Sequence, residues 1–264
     1  MPDTLIERRD GVVTVTFNRP HKRNALSAAN WADLEQVTRE VARNPADRAL
    51  VLTGSGGAFS AGADITGEAG GGSGLTGTEM QGPLHELRTT NEMINRLHRL
   101  PKPTVALVDG VAAGVAAGLA LACDFVIASD RAEFGIVFVK RGLALDGGTS
   151  WLLPRLVGAR RAKQMAFLGD MVPAQQALEW GLVNDVVPAA EIAKVGDELA
   201  RRLANGPTTA LSLIKRQLDD GMQLTFEEAL EGEARAQHIA FTTKDMGEGI
   251  LAFLERREPR FTGK

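Results

Sequence analysis

A chain of 264 residues, 44% of them hydrophobic and 24% charged, has enough apolar material for one large domain or a domain with an appendage. Its net charge of -3 gives no general attraction to nucleic acid or an anionic membrane, and its single cysteine, Cys123, excludes an internal disulfide. The start carries Glu7, Arg8 and Arg9 without an apolar h-region, so no signal peptide is expected and the cytoplasm is the default compartment.

Leu5 to Arg9 and Val12 to Phe17 flank Asp10-Gly11 and predict a hairpin with an Asp-Gly turn. A Pro-broken loop with four potentially basic side chains follows, from Asn18 to Leu26. Ser27 is placed to cap a helix reaching about Arg43, with Trp31, Leu34, Val37 and Val41 on one face. Ala49 to Thr53 reads as a strand. The glycine-rich tract from Thr66 to Thr78 reads as a mobile loop; its match to G-x-G-x-x-G has no preceding strand and is rejected as a dinucleotide site. A helix is expected from about Glu79 to Arg99, carrying Leu84, Leu87, Met93, Ile94 and Leu97, and then a strand from Thr104 to Val108.

The run from Val105 to Asp124 turns at Asp109-Gly110 and continues in Gly, Ala, Val and Leu. Between Asp109 and Asp124 it holds 14 uncharged residues, too few for a membrane span, which needs roughly 20. Its expected form is a buried helix packed through Gly110, Gly114 and Gly118, whose spacing of four puts them on one face, with a backbone that a ligand can approach. Short strands are expected at Phe125 to Ala128, Glu133 to Phe134 and Val183 to Val187. Pro173 should start a helix that Gly181 ends, and amphipathic helices with a capping box at Thr225 to Glu228 should follow Pro207. Strands in the first two thirds and helices in the last suggest an α/β core with a helical appendage.

Several stretches occur together in order: Arg19-Pro20 with Lys22 and Asn24-Ala25-Leu26, Ala58 to Ile65, Pro101-Lys102-Pro103, Asp109-Gly110 with the glycine-alanine run to Asp124, Phe134-Gly135, Asp146-Gly147-Gly148, Leu153-Pro154-Arg155, Glu179-Trp180-Gly181 and the closing Arg260 to Lys264. Over essentially its whole length the chain resembles the crotonase superfamily of enoyl-CoA hydratases and isomerases. The resemblance implies an α/β spiral of ββα units over residues 1–203 and a C-terminal helical region, 204–264, that builds trimers or hexamers. It also implies an acyl-CoA thioester as substrate, with coenzyme A the only cofactor-like group. Carried over by position, the oxyanion donors are the N–H groups of Ala63 and Val115, the latter standing where a glycine is common. Lys22, Arg23, Ala25 and Leu26 correspond to the nucleotide end of the CoA site. Ala61, Asp64 and Ile65, which flank the oxyanion donor Ala63, are likewise implied as CoA-binding residues, and Phe261 and Lys264 look like contacts to CoA in a neighbouring subunit.

Two departures bear on chemistry. The two glutamates with which hydratases of this family add water fall at Gly118 and Phe138. Asp146 instead matches the aspartate of certain isomerase members, including the ring-epoxide isomerases of phenylacetyl-CoA breakdown, although Leu145 replaces a usual proline. A single carboxylate suffices for a 1,3-proton shift, so the expected activity is acyl-CoA isomerisation through an enolate. Alternatives are a hydratase using Asp146 with Glu133, and a weakly catalytic acyl-CoA-binding scaffold; Asp146 also has a reading as a helix cap. Cys123 is expected to be a small core residue, and the scattered histidines give no metal-ligand spacing.

Overall fold

A computed structural model of the protein describes residues 2–66 and 82–264, so most of the glycine-rich tract from Thr66 to Thr78 lies outside the described residues. In chain order the elements are β1 (Thr4–Arg9), β2 (Val12–Phe17), α1 (Ala28–Arg43), β3 (Ala49–Gly54), α2 (Gly82–His98), β4 (Thr104–Val108), β5 (Val111–Ala113), α3 (Val115–Leu121), β6 (Phe125–Ser129), β7 (Glu133–Gly135) and α4 (Thr149–Leu168). They continue with β8 (Met171–Pro173), α5 (Ala174–Glu179), β9 (Asp185–Val187), α6 (Ile192–Ala204), α7 (Thr208–Gly221), α8 (Phe226–Phe241) and α9 (Lys244–Glu255). Short 3-10 turns fill Pro20–Lys22 and Val137–Arg141.

The first hairpin forms as its sequence predicts. Asp10 and Gly11 have φ of 51° and 79°, the left-handed pair that a tight two-residue turn needs, and they set β1 antiparallel to β2 in register from Thr4 with Phe17 to Arg9 with Val12. Ser27 accepts a hydrogen bond from the Asn30 N–H while the Asn30 side chain accepts one from the Ser27 N–H, closing a capping box at the start of α1. Leu34, Val37 and Val41 bury the inner face of that helix, which returns the chain to β3, parallel to β2. Parallel pairing continues, giving a sheet in the order β1-β2-β3-β4-β6-β9.

A repeating departure from each central strand makes the spiral. After β4 the chain turns at Asp109-Gly110, lays down β5 and enters α3; after β6 it lays down β7 and leads to α4. Strands β5, β7 and β8 form a second sheet of three. After β3 the same step is reduced to a single bridge, Ser60 with Ala112, before α2. The two sheets and their helices enclose one large core in which Phe17, Phe59, Phe134, Leu97 and Leu119 are fully buried, with Phe17 edge-on to Phe59 at 5.5 Å. A second cluster forms where α6 covers the other face through Ile192, Ala200 and Ala204. Among the described residues no helix is long and apolar enough to cross a membrane.

Two expectations need correction. The glycine-alanine run is not one helix: Gly110 has φ of 66° and turns the chain, Val111–Ala113 is strand, and Gly114 (φ 57°, ψ -130°) precedes a helix of only seven residues. Only Gly118 of the three glycines lies within a helix, so they share no helical face. Gly110 is glycine because a Cβ there would collide with the Gly57 backbone. Pro173 caps α5 as the last residue of β8 rather than opening the helix. On α2, Met93, Ile94 and Leu97 are buried, but Leu84 and Leu87 are exposed.

Candidate active site

The site lies at the ends of β3 and β4, where two connecting segments run side by side. The Ser60 N–H donates to the Val111 carbonyl at 2.9 Å and the Ala113 N–H to the Ser60 carbonyl at 3.0 Å. Gly62, at φ 100°, then passes so close to β5 that a Cβ would stand 2.8 Å from the Ala113 carbonyl oxygen. On its other side this segment pairs with Leu26, whose N–H donates to the Gly62 carbonyl (2.8 Å) and whose carbonyl accepts the Asp64 N–H (3.0 Å). Strand alternation therefore turns the Ala63 N–H away from Leu26. Gly114 is held from behind by its own N–H donating to the Gly135 carbonyl at 2.8 Å. Within the described residues neither the Ala63 nor the Val115 N–H makes a hydrogen bond. Two rigidly held N–H donors without an internal partner are what a developing oxyanion requires.

The Ala63 segment is anchored by charge. Arg19 donates to the Asp64 carboxylate at 2.8 Å and to the Ala25 carbonyl at 2.7 Å, with its side chain and that of Asp64 almost fully covered. Lys22 reaches the same carboxylate oxygen at 3.2 Å and the Thr66 hydroxyl at 3.3 Å, while the Thr66 N–H and hydroxyl bond the other oxygen. The Thr66 hydroxyl, helped by Arg19, the Thr66 N–H and Lys22 against the cost of burial, holds the Asp64 carboxyl far below the usual range. Asp64 is thus a fixed anion that pins the residue after Ala63. Arg19 was legible as part of a motif but not as this anchor; the signal was the need of a covered Asp64 for a countercharge.

The Asp146 loop packs against the other donor. A Cβ on Gly147 (φ 62°) would stand 2.9 Å from Val115 Cγ2, and one on Gly118 would fall on the Gly147 carbonyl, 3.0 Å from its carbon and nearer to its oxygen. The Asp146-Gly147-Gly148 backbone therefore occupies the space into which a side chain at 118 would project. Phe138 is buried, its ring 3.9 Å from where a Cβ on Gly114 would sit. The Asp146 carboxylate accepts the Gly147 N–H at 2.6 Å, and its carbonyl accepts the Thr149 N–H and hydroxyl. The residue capping α4 is Gly148, and no side chain bonds the cap. Asp146 is partly exposed and lines a cavity of about 380 Å³ with residues of α2, the start of α4 and Gln223.

The remaining positions divide. Ala25 and Leu26 adjoin the site, but Leu26 turns its side chain into the core and contributes backbone. Ala61 and Ile65 are exposed beside Ala63, as is Arg23, which makes no ion pair among the described residues; Lys22 is already shared with Asp64. Glu133 is exposed at the start of β7, level with Val111 rather than with Gly114. Phe261 and Lys264 lie at the other end of the sheet: Arg48, just before β3, donates to the Phe261 carbonyl, and Asp245 accepts the N–H groups of Thr262 and Gly263. Six-residue β3 separates the two ends by roughly 17 Å, at about 3.3 Å per residue. Asp124 is structural, accepting from Thr104 and Lys215 and so tying α7 to β4. Cys123 is buried in the core, and burial pushes its thiol up to about 12. Among the described residues no cluster of three His, Cys, Asp or Glu side chains is arranged to hold a metal.

The family model described as enoyl-CoA hydratase/isomerase matches residues 7–264. The chain belongs to the enoyl-CoA hydratase/isomerase family. It is 40% identical over 259 residues to the 1,2-epoxyphenylacetyl-CoA isomerase of Escherichia coli, covering 96% of each chain. It is 34% identical over 262 residues to the crotonyl-CoA hydratase of Syntrophomonas wolfei, covering 98% of each. The crystal structure of an enoyl-CoA hydratase from Bacillus anthracis superimposes with a TM-score of 0.92 at 30% identity, over 99% of this chain and 100% of that one. These matches establish the crotonase fold and a family acting on acyl-CoA thioesters, and they include both hydratases and isomerases.

Proposed function

We propose that this enoyl-CoA hydratase/isomerase family member is an acyl-CoA isomerase that shifts a double bond by a one-carboxylate proton transfer. The observation that carries the reading is the packing of Gly147 on Gly118: the loop presenting Asp146 fills the space of the first hydratase carboxylate, and Phe138 stands at the second. Hydration needs one group to activate water and one to protonate carbon. A 1,3-proton shift needs one base that returns its proton.

In the proposed reaction the thioester carbonyl oxygen sits between the Ala63 and Val115 N–H groups, which stabilise the enolate formed as Asp146 removes the α-proton. The bonding pair of the broken C–H bond delocalises through the carbonyl and the adjacent double bond as a dienolate. Asp146, now the acid, returns the proton at the γ-carbon, leaving a conjugated 2-enoyl thioester. We assign Lys22 and Arg23 to the phosphates of CoA; Arg23 is exposed and makes no ion pair among the described residues, and Lys22 would be shared between a phosphate and Asp64. We further propose that the chain works as a homotrimer or dimer of trimers. Phe226, Phe241, Phe253 and Leu254 on the C-terminal helices are widely exposed in one protomer, which favours burial against further copies. The reading is tested by incubating the protein separately with a 3-enoyl-CoA and a 2-enoyl-CoA. Conversion of the first without hydration of the second is expected; hydration of the second as the main reaction would overturn it.

A further inference from the structure

The cavity beside Asp146 has an unusual wall. Asn91, Ile94, Asn95 and His98 share one face of α2, by spacings of three and four, and this face looks across to Asp146, Ser150 and Trp151. Gln223 lines one side; Leu152 and Ala122, both buried, supply an apolar floor, and Leu145 an exposed apolar edge. Asn91, Asn95 and Gln223 are exposed residues that line this space, and among the described residues their side-chain amides have no hydrogen-bond partner in the protein, so water satisfies them. The cations nearby are engaged elsewhere. Arg99 donates to Asp220 at 2.8 Å, and Arg155 lies 3.9 Å over the Trp151 ring and donates to the Trp151 carbonyl. Three carboxylates, Asp146 and, behind the wall, Asp219 (3.8 Å from His98) and Asp220, disfavour a further anion.

We infer that this cavity receives the distal part of the acyl group and selects a neutral oxygen-bearing end, a hydroxyl, carbonyl or ring oxygen, over an alkyl or a carboxylate end. This inference rests on the isomerase reading for where the thioester lies. An alkyl tail would desolvate the three amides without replacing their hydrogen bonds to water, whereas a neutral oxygen can accept from one amide and, as a hydroxyl, donate to another. Trp151 and Ile94 supply apolar contact for the carbons between that end and Asp146.

The test is a matched series of 3-enoyl-CoA thioesters of increasing length ending in methyl, hydroxyl or carboxylate. At the best chain length the hydroxyl-ended thioester should exceed both others in kcat/KM by about tenfold or more, the worth of one to two neutral hydrogen bonds. Asn91→Leu/Asn95→Leu should collapse that preference toward the methyl-ended compound. A wild-type preference for methyl or carboxylate, or an unchanged ratio in the variant, would overturn the inference. Dissociation constants of the saturated counterparts, which cannot isomerise, give the same ratio without turnover. Tighter binding of the hydroxyl-ended compound with no isomerisation of any thioester would remove the isomerase reading and leave the cavity assignment standing.

Discussion

Gly118→Ala probes the packing on which the chemistry rests. The added Cβ would stand 3.0 Å from the Gly147 carbonyl carbon and nearer to its oxygen, where carbon–carbon contact is comfortable only at about 3.5 to 4.0 Å. The Gly147 peptide must retreat by roughly 0.5 to 1 Å, or α3 must move with its core partners. Overpacking of this kind costs about 1 to 3 kcal/mol. In a chain of this size each kcal/mol lowers Tm by about 2 to 4 °C. The retreat carries Asp146 with it, and a misplacement near 1 Å can cost about 10²-fold in rate. Steady-state isomerisation, thermal melting and CoA-thioester affinity measured together separate the effects: kcat should fall about 10²-fold and Tm by several degrees while affinity stays within a few-fold. Wild-type kcat and Tm in Gly118→Ala would refute the packing argument, as would new hydratase activity in Gly118→Glu, whose side chain has no room beside Gly147.

Other consequences follow from the anchored oxyanion segment and the core. Asp64→Ala releases Arg19, Lys22 and Thr66 together; kcat should fall by about tenfold or more, the typical worth of a charged hydrogen-bonded contact that positions a reacting group, with a smaller change in KM. The Asp64 carboxyl is held below its unfolded range by Thr66, Arg19 and Lys22, so the stability it contributes is present above the ordinary carboxylate pKa of about 3.9 and is lost as pH falls below it. Acid titrations of melting temperature should therefore show a shallower fall in Asp64→Asn than in the wild type below about pH 4. Cys123, buried with its thiol pushed up to about 12, should resist a thiol reagent at neutral pH in the folded protein and react fully in denaturant.

The hairpin, the α1 cap and the α8 capping box were legible because each rests on local chemistry: Asp10-Gly11 for positive φ, Ser27 and Thr225 for unpaired N–H groups. The Gly110–Asp124 run misled for a physical reason. Three residues of strand, Val111–Ala113, are too few and too uniformly apolar to show an alternation, with Ala112 and Ala113 buried and Val111 half-buried, so in composition they are indistinguishable from the helix that follows. The glycines at 110 and 114 answer to backbone geometry rather than to a shared face. Strand β8 leaves no sign in the sequence, since three residues between helices give no period. The positions of Ala63, Val115 and Asp146 came from resemblance; that the Asp146 loop lies on Gly118 came only from tertiary packing, because nothing in the sequence says which backbone a glycine faces. The closing Phe261 and Lys264 could not be placed by sequence either, and in one protomer they lie at the far end of the sheet.

The role of Asp146 is tested most directly by Asp146→Asn assayed with a 3-enoyl-CoA for isomerisation and, separately, for thioester binding. Asparagine keeps the shape and can still face the Gly147 N–H, but it can neither remove nor return a proton. The mechanism predicts a loss of about 10² to 10⁴ in kcat with CoA-thioester affinity within a few-fold of wild type. Wild-type turnover in that variant would contradict it.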